Sequence, residues 1–371
     1  MRVLFFAGSL KTGGAERTLS RLANFLVQSG YEVHLVLRTS LVDFPLEAKV
    51  HLHILPRPKG GGVLRKAWKT RKNLREIIQR LEPHVVCSFT GLTGVMLAAT
   101  FTKNTVVRFG TYPLNLKKWK QALYYTFFHL PRVRRIVCQT EVMYEDVGAV
   151  LPDSKLQVIH NPAVKTRIRS KKTPERLPDR PFIVSMGRLT RGKAYDVALR
   201  AYKASAAYHQ FDYVFLGDGR MLPGLKRLAQ ELGIADRVHF LGYQSSPYPI
   251  IERAAFFVHT SRREGFPNVL LEALSLNKPV IATDCKTGPS EIVIEGTNGY
   301  LVPVDDEEKL AEKISTLAND PALLQQMSAN ARGSTQRFSE EVIFRQWASV
   351  LGLGPVALPS ASSATPELVA E

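Results

Sequence analysis

Short apolar runs alternate with amphipathic helical stretches along almost the whole chain, and the series starts twice, at Arg2 and again at Phe182. In the first series, Arg2 to Ala7 predicts a strand, Ala15 to Ser29 a helix and Glu32 to Leu37 a second strand, which is a βαβ opening. Leu64, Ala67, Trp68, Leu74, Ile77, Ile78 and Leu81 then recur at helical spacing ahead of Pro83 and the apolar strand Val85-Val86-Cys87. Further strands are expected at Thr105 to Arg108, Arg135 to Gln139 and Leu156 to Ile159. The second series predicts strands at Phe182 to Met186, Tyr213 to Leu216, Val238 to Phe240, Phe256 to His259 and Val280 to Ala282. Such alternation implies parallel sheets covered by helices, so the fold class is α/β with two doubly wound, Rossmann-like halves.

The chain of 371 residues exceeds the size at which one core usually stops growing, which also points to two domains. Between the two series, from Ala163 to Pro181, the sequence turns basic and proline-containing and loses its large apolar residues, as a linker would. The expected organisation is an N-terminal domain over 1–165, a linker over 166–180 and a C-terminal domain over 181–338. A closing helix over 339–352 and a disordered tail over 353–371 complete it. Two such domains are expected to face a central cleft, with ligands at the carboxyl ends of the strands.

No apolar run approaches the roughly 18 residues of a membrane span. The apolar stretch after Arg2 ends at Gly8 and is followed by Lys11, so it reads as a first buried strand and not as a secretory leader. Cys87, Cys138 and Cys285 are far apart and form no CxxC, which argues against a disulfide framework and a zinc site and makes a reducing cytoplasm the simplest compartment. The net charge is +17, and its distribution is uneven. Residues 1–170 carry 27 Lys/Arg against 10 Asp/Glu, whereas the remainder carries 23 of each, so the first half holds the whole excess. It concentrates at Lys59 to Arg80, with Trp68, and at Lys117 to Arg135, with Trp119, Tyr124, Tyr125, Phe127 and Phe128.

Five segments at expected strand ends carry candidate chemistry. Gly13-Gly14 opens the first helix, where a backbone without Cβ atoms either approaches a ligand or simply makes a tight turn. Gly187-Arg188-Leu189-Thr190-Arg191-Gly192-Lys193 follows the first strand of the second series. Arg188 offers a planar fork for phosphate oxygens and Lys193 a compact point charge, unless the loop is only a solvated basic turn. Gly217-Asp218-Gly219 fits a tight βα turn. Glu264 and Glu272 bracket Gly265, Phe266, Pro267, Asn268, Val269, Leu270 and Leu271, with Pro267 expected as the first helical residue. A helix start beside two carboxylates suits a ligand with both phosphates and hydroxyls, or is a capped helix with two solvated acids. The fifth segment is Thr283 to Glu291, followed by the turn Asn298-Gly299.

The order of these signals resembles the retaining, metal-independent GT-B glycosyltransferases of family 4 over about residues 1–351. The resemblance implies that Arg188 and Lys193 hold a nucleotide diphosphate, Glu272 the ribose hydroxyls and Glu264 the donor sugar. Gly187, Gly217 and the Gly265-Phe266-Pro267-Asn268-Val269 stretch would line the donor seat. Gly242 and Tyr243 would lie near the base, and Gly13 and Gly14 would close over the donor. The chain departs from the pattern in lacking a convincing histidine between Ser88 and Leu116 and in placing Ala194 where a glycine is common. Arg108, at a strand end, is either a substitute contact for donor or acceptor or a structural ion-paired residue.

Function follows as an expectation. A transferase of this kind would move a hexose or N-acetylhexosamine from a nucleotide sugar, expected to be UDP-linked, to a lipid-linked glycan or a lipopolysaccharide or surface-polysaccharide acceptor. Cations and a helix N-terminus would stabilise the departing phosphate. No two aspartates form the DxD pair that would hold a metal, so neither a metal nor a cofactor is expected. Retention is implied by the resemblance alone, with same-face attack assisted by the leaving phosphate. The basic, aromatic first half suggests contact with an anionic membrane surface, as a peripheral enzyme on the cytoplasmic face of the inner membrane. A sugar-nucleotide epimerase of the same architecture is the alternative. A nucleic-acid partner is not expected, because no recognition motif accompanies the basic charge.

Overall fold

The computed structural model describes residues 1–11, 13–58, 60–163 and 177–355. The chain forms two compact units, one from Met1–Pro162 together with the chain from Glu341 onward, the other from Ala163–Glu340. Residues 164–176 of the basic segment and 356–371 of the expected tail lie outside the described residues.

The first unit contains β1 (Arg2–Ala7), β2 (Glu32–Leu37), β3 (Val50–Ile54), β4 (Val85–Ser88), β5 (Thr105–Arg108), β6 (Val133–Cys138) and β7 (Leu156–Val158). They form one parallel sheet in the order β3-β2-β1-β4-β5-β6-β7. The strand order reverses beside β1, and the chain leaves the carboxyl end of β1 toward Gly13 and the helix Gly14–Gln28. On one face Leu19, Leu22 and Leu26 of that helix bury against Val3, Phe5, Val33 and Leu35. On the other, Leu74 and Ile78 of the helix Val63–Leu81 cover Leu4, Phe6 and Val36. Each fully buried aliphatic side chain of this kind contributes about 1.5–3 kcal/mol.

The last helix, Glu340–Val350, completes this first core. Its apolar stripe places Ile343, Phe344 and Trp347 inside, with the Phe344 ring 5.3 Å from Phe25 and the Trp347 ring stacked at 4.7 Å on Phe89.

The second unit contains β8 (Phe182–Met186), β9 (Asp212–Leu216), β10 (Val238–Phe240), β11 (Phe257–His259), β12 (Val280–Thr283) and β13 (Gly299–Val302). These are again all parallel, in the order β10-β9-β8-β11-β12-β13. Helices Tyr195–Ala204 and Glu307–Asn319 cover one face through Leu199, Tyr202, Leu310 and Ile314. Leu270, Leu271 and Leu274 of the helix Asn268–Ser275 cover the other, with Ile250 and Ile251. Strand order reverses between β8 and β11, and the loops after these strands carry the candidate residues.

The predicted strands all occur, with the expected ends for β1, β2, β5, β8 and β10 and ends shifted by one or two residues for the others, and β3 and β13 are additions. Both are edge strands of their sheets, and β3 lacks the continuous apolar run that marks a strand buried on both faces.

Candidate active site

In the second unit the loops after β8, β9 and β10 interlock through backbone alone. Gly187 N–H donates to Leu216 O at 2.9 Å, Leu189 N–H to Asp218 O at 2.9 Å, and Gly217 N–H to Gly242 O at 2.7 Å. Gly217 has φ +137°, and a Cβ there would stand 2.0 Å from Gly187 O, so only glycine lets the two loops meet. The glycines at 187, 217 and 242 therefore share one structural task, which holds the loop bearing Arg188 and Lys193 at the strand ends. Tyr243, next to them, is 68% exposed.

From that loop Lys193 reaches across to the loop after β11. Its Nζ donates to Glu264 Oε1 at 2.5 Å, while Thr260 Oγ1 donates to Lys193 O at 2.8 Å. Arg262 N–H donates to Gly192 O at 2.9 Å and its guanidinium to Arg191 O at 2.6 Å, so the same loop is fastened from both sides. His259, 2% exposed, ends β11 with Nε2 3.1 Å from the same Glu264 oxygen, close but poorly aligned for a full hydrogen bond. Burial alone would push the Glu264 carboxyl up. The His259 and Lys193 contacts more than offset it and hold the group well below the usual carboxylate range. Burial likewise pushes His259 down, against the pull of Glu264, and keeps its ring neutral.

The helix Asn268–Ser275 begins one residue later than expected. Pro267 is its cap in extended conformation, φ −78° and ψ 90°, and not its first helical residue. Its placement is set by Gly288, whose φ is +99° and whose Cβ would fall 2.5 Å from Pro267 Cδ. Thr287 Oγ1 donates to Glu264 O at 2.6 Å, so the loop after β12 buttresses the loop after β11. The Phe266 ring is buried 5.8 Å from Phe338 and belongs to the core, which leaves only its backbone for a ligand. Val269 packs at the edge of the same core, Asn268 opens the helix next to Gly265-Phe266-Pro267, and Glu272 lies on the second turn, 5% exposed.

Lys193 and Glu264 are thus brought together, and Gly187, Gly217 and Gly242 form one framework. Arg188 differs: it is exposed, with no side-chain partner among the described residues. Sequence reasoning missed His259 and two neighbours. Tyr195 Oη and Ser261 Oγ are buried without a hydrogen-bond partner among the described residues, as is His259 Nε2. A buried polar atom without a partner is open to a hydrogen bond from a ligand or water. The available signal was position, since His259 ends a predicted strand five residues before Glu264.

In the first unit Gly13 is the extended cap of the helix Gly14–Gln28, and Glu16 folds back so closely that a Cβ on Gly13 would fall 2.2 Å from Oε2. Gly14 and Glu16 line a cavity of about 300 Å³ with Thr90, Gly91, Gly110 and Tyr124. Burial raises the Glu16 carboxyl, opposed by a backbone N–H and by Arg108. Arg108 is 1% exposed and carries no carboxylate ion pair among the described residues; amide oxygens hold it instead. Its Nη2 donates to Gln139 Oε1 at 2.7 Å and to Asn161 Oδ1 at 2.6 Å, Nη1 to Phe89 O at 3.3 Å, and it lies 5.1 Å from the Phe89 ring centre.

Comparison with known proteins agrees with both halves. The Glycosyl transferases group 1 profile matches residues 166–334 and the Glycosyltransferase Family 4 profile residues 12–166. The chain is 30% identical over 341 residues to the lipopolysaccharide core biosynthesis glycosyltransferase LpsD of Rhizobium meliloti, covering 89% of this chain and 92% of that one. It is 26% identical over 359 residues to a Campylobacter jejuni enzyme, N-acetylgalactosamine-N,N'-diacetylbacillosaminyl-diphospho-undecaprenol 4-alpha-N-acetylgalactosaminyltransferase, covering 92% and 96%. Among solved structures, Anabaena Alr3699/HepE in complex with UDP and glucose superposes with TM-score 0.77 at 20% identity, over 95% of this chain and 99% of that one. The lipopolysaccharide outer core galactosyltransferase WaaB gives 0.76 at 19% identity over 95% and 99%. Two parallel α/β units, the loops anchored by Gly187 and Gly217, and a match to LpsD over 89% of the chain place it in the family 4, group 1 glycosyltransferases with the GT-B fold.

Proposed function

We propose that the protein transfers a hexose or N-acetylhexosamine from a UDP-sugar to a lipid-linked or lipopolysaccharide-type acceptor, with retention and without a metal. The observation that carries the reading is the Lys193–Glu264 contact at 2.5 Å, with Lys193 in the same loop as Arg188, which is exposed and has no side-chain partner among the described residues. When the nucleotide departs, negative charge grows on its phosphates. Arg188, Lys193 and the start of the helix Asn268–Ser275 supply fixed positive potential for that charge. Glu264 binds a hydroxyl of the donor sugar and Glu272 the ribose, which divides turnover from nucleotide affinity. The absence of a DxD pair from the sequence supports metal independence. The donor class is supported by the UDP and glucose complex of Alr3699/HepE, and the acceptor class by LpsD and the diphospho-undecaprenol enzyme. LpsD and the diphospho-undecaprenol enzyme are glycosyltransferases, and neither favours the epimerase alternative.

No helix among the described residues is long and apolar enough to cross a membrane. Contact with an anionic surface is proposed through the first unit. Val63 and Leu64 are 84% and 86% exposed on the first turn of the helix Val63–Leu81, beside Arg65, Lys66 and Lys69, and Trp68 is 55% exposed. Apolar groups that enter a headgroup layer among cations bind by burial and by charge together.

A thermal-shift series with UDP-, GDP- and ADP-sugars, followed by product analysis on lipid-linked acceptors, tests the donor and acceptor. Loss of activity in chelator with recovery in manganese would overturn metal independence. Flotation with anionic vesicles at low and high salt tests docking, and no binding at either would sink it.

A further inference from the structure

At the free edge of the first unit's sheet, a group of imidazoles stands outside the proposed transfer chemistry. β2 and β3 run parallel with His34 opposite His51 and Val36 opposite His53. Residues two apart on a strand share a face, so Glu32, His34, His51 and His53 all project to one side. The His34 ring stacks on both neighbours, with centroids 4.8 Å from His51 and 5.2 Å from His53 and planes tilted by 22° and 23°. His34 Nδ1 lies 2.9 Å from His53 Nε2, and His34 Nε2 lies 2.9 Å from Glu32 Oε1. That oxygen also accepts from Arg2 Nε at 2.8 Å. One donor atom from each of Glu32, His34 and His51 falls within 4.8 Å of the other two.

We propose that Glu32, His34 and His51 form a binding site for a divalent transition ion of the zinc class, with His53 as the outer partner that orients His34. Two imidazoles and a carboxylate suit zinc and its first-row neighbours, whereas magnesium and calcium take oxygen ligands. Three protein ligands leave a fourth position for water. Ligand atoms at 2.0–2.1 Å from a tetrahedral ion stand about 3.3 Å apart, so the three groups must close inward. Rotation about the broad χ2 torsion of histidine achieves this at little cost, because the near-parallel rings already present their edges together.

The proton arrangement is self-consistent. An ion on His34 Nε2 takes the lone pair there, so the His34 proton moves to Nδ1 and is donated to His53 Nε2, whose own proton moves to its Nδ1. A ligating histidine with its second nitrogen held in this way is the usual outer-shell pattern.

The group occupies the amino-terminal half of β2 and the middle of β3, whereas Gly13 follows the carboxyl end of β1. An ion there ties the edge strand β3 to β2 and takes no part in sugar transfer. The test uses the full-length protein without an affinity tag, titrated with Zn²⁺ by calorimetry and with Co²⁺ as a spectroscopic probe. One ion per chain, the visible absorption of tetrahedral Co²⁺ and a raised melting temperature are expected. His51 is exposed, so His51→Ala leaves the fold intact and abolishes binding. His53→Ala weakens it about 10- to 100-fold. No saturable binding by the wild type, or equal binding by His51→Ala, overturns the site.

Discussion

Lys193 and Glu264, 71 positions apart, meet at 2.5 Å and join the loop after β8 to the loop after β11. Both are largely withdrawn from solvent, with side chains 22% and 13% exposed. The pair therefore has two roles, holding the loops together and setting the charge of the site. Glu264→Gln should reduce turnover about 100- to 1000-fold, the usual cost of one preorganised polar contact. It should also destabilise the unit by about 3 kcal/mol at neutral pH, the low end for breaking a buried pair. The pH dependence has a definite sign. The native carboxyl is held below its unfolded value of about 4.3. As pH falls, the unfolded state takes up the proton first, so the stabilisation is complete above that value and is lost toward the native pKa. Urea unfolding of wild type and Glu264→Gln at about pH 7 and about pH 3.5 should show the gap shrinking in acid. A gap of constant size would refute the ionic contribution.

Arg188 should separate chemistry from folding. Its side chain is exposed and has no partner among the described residues, so Arg188→Ala should leave the unfolding midpoint within about 0.5 kcal/mol of wild type. Turnover should fall about 100- to 1000-fold if the guanidinium meets the departing phosphate. Lys193→Ala should lower both turnover and stability, because it leaves Glu264 buried without its cation. Steady-state kinetics beside thermal unfolding reads both, and unimpaired turnover in Arg188→Ala would remove it from the site.

Gly217→Ala should test the backbone framework. The added Cβ would stand 2.0 Å from Gly187 O, and an L-residue is strained at φ +137°. Overpacking and backbone strain together predict a loss of about 2–4 kcal/mol. Gly224→Ala is the control, because a Cβ there meets nothing within 4 Å. Equal melting temperatures for the two variants would show that the loops can separate at no cost.

These residues also show where sequence reading reached and where it stopped. The apolar runs of β1 and β8 announce parallel strands buried on both faces, so the two-unit α/β architecture was legible. Gly217 and Gly288 were visible as turn residues, but the partners that require them, Gly187 O and Pro267, stand far away in the chain. Lys193 and Glu264 were each assigned to a ligand, and their mutual contact was not foreseen because it depends on how two loops approach. His259 carried no motif beyond its place at the end of a predicted strand. Its importance arises only from burial beside Glu264. The edge strand β3 was missed for a similar reason: it is apolar on neither face continuously, and its histidines gain meaning only from the register with β2.

Arg108 poses the last choice, between a ligand contact and a packing element. Its guanidinium is buried and shared among Gln139, Asn161 and Phe89 O, and Gln139 Nε2 in turn donates to Phe109 O at 2.6 Å. Burial first pushes the group down to about 10, opposed by Cys87 and Glu16, which leaves it charged between about pH 6 and 9. Arg108→Met keeps most of the volume and removes the donors, so Asn161 Oδ1 and Phe89 O lose the bonds it made. The expected loss is about 2–4 kcal/mol, constant across that pH range because the wild-type charge does not change. Arg108→Lys should not restore it, since a single ammonium cannot span the positions reached by the planar fork. With donor KM measured on the same variants, a packing role predicts lower melting temperature at unchanged KM for the fraction that remains folded. A raised KM at unchanged melting temperature would make Arg108 a ligand contact instead.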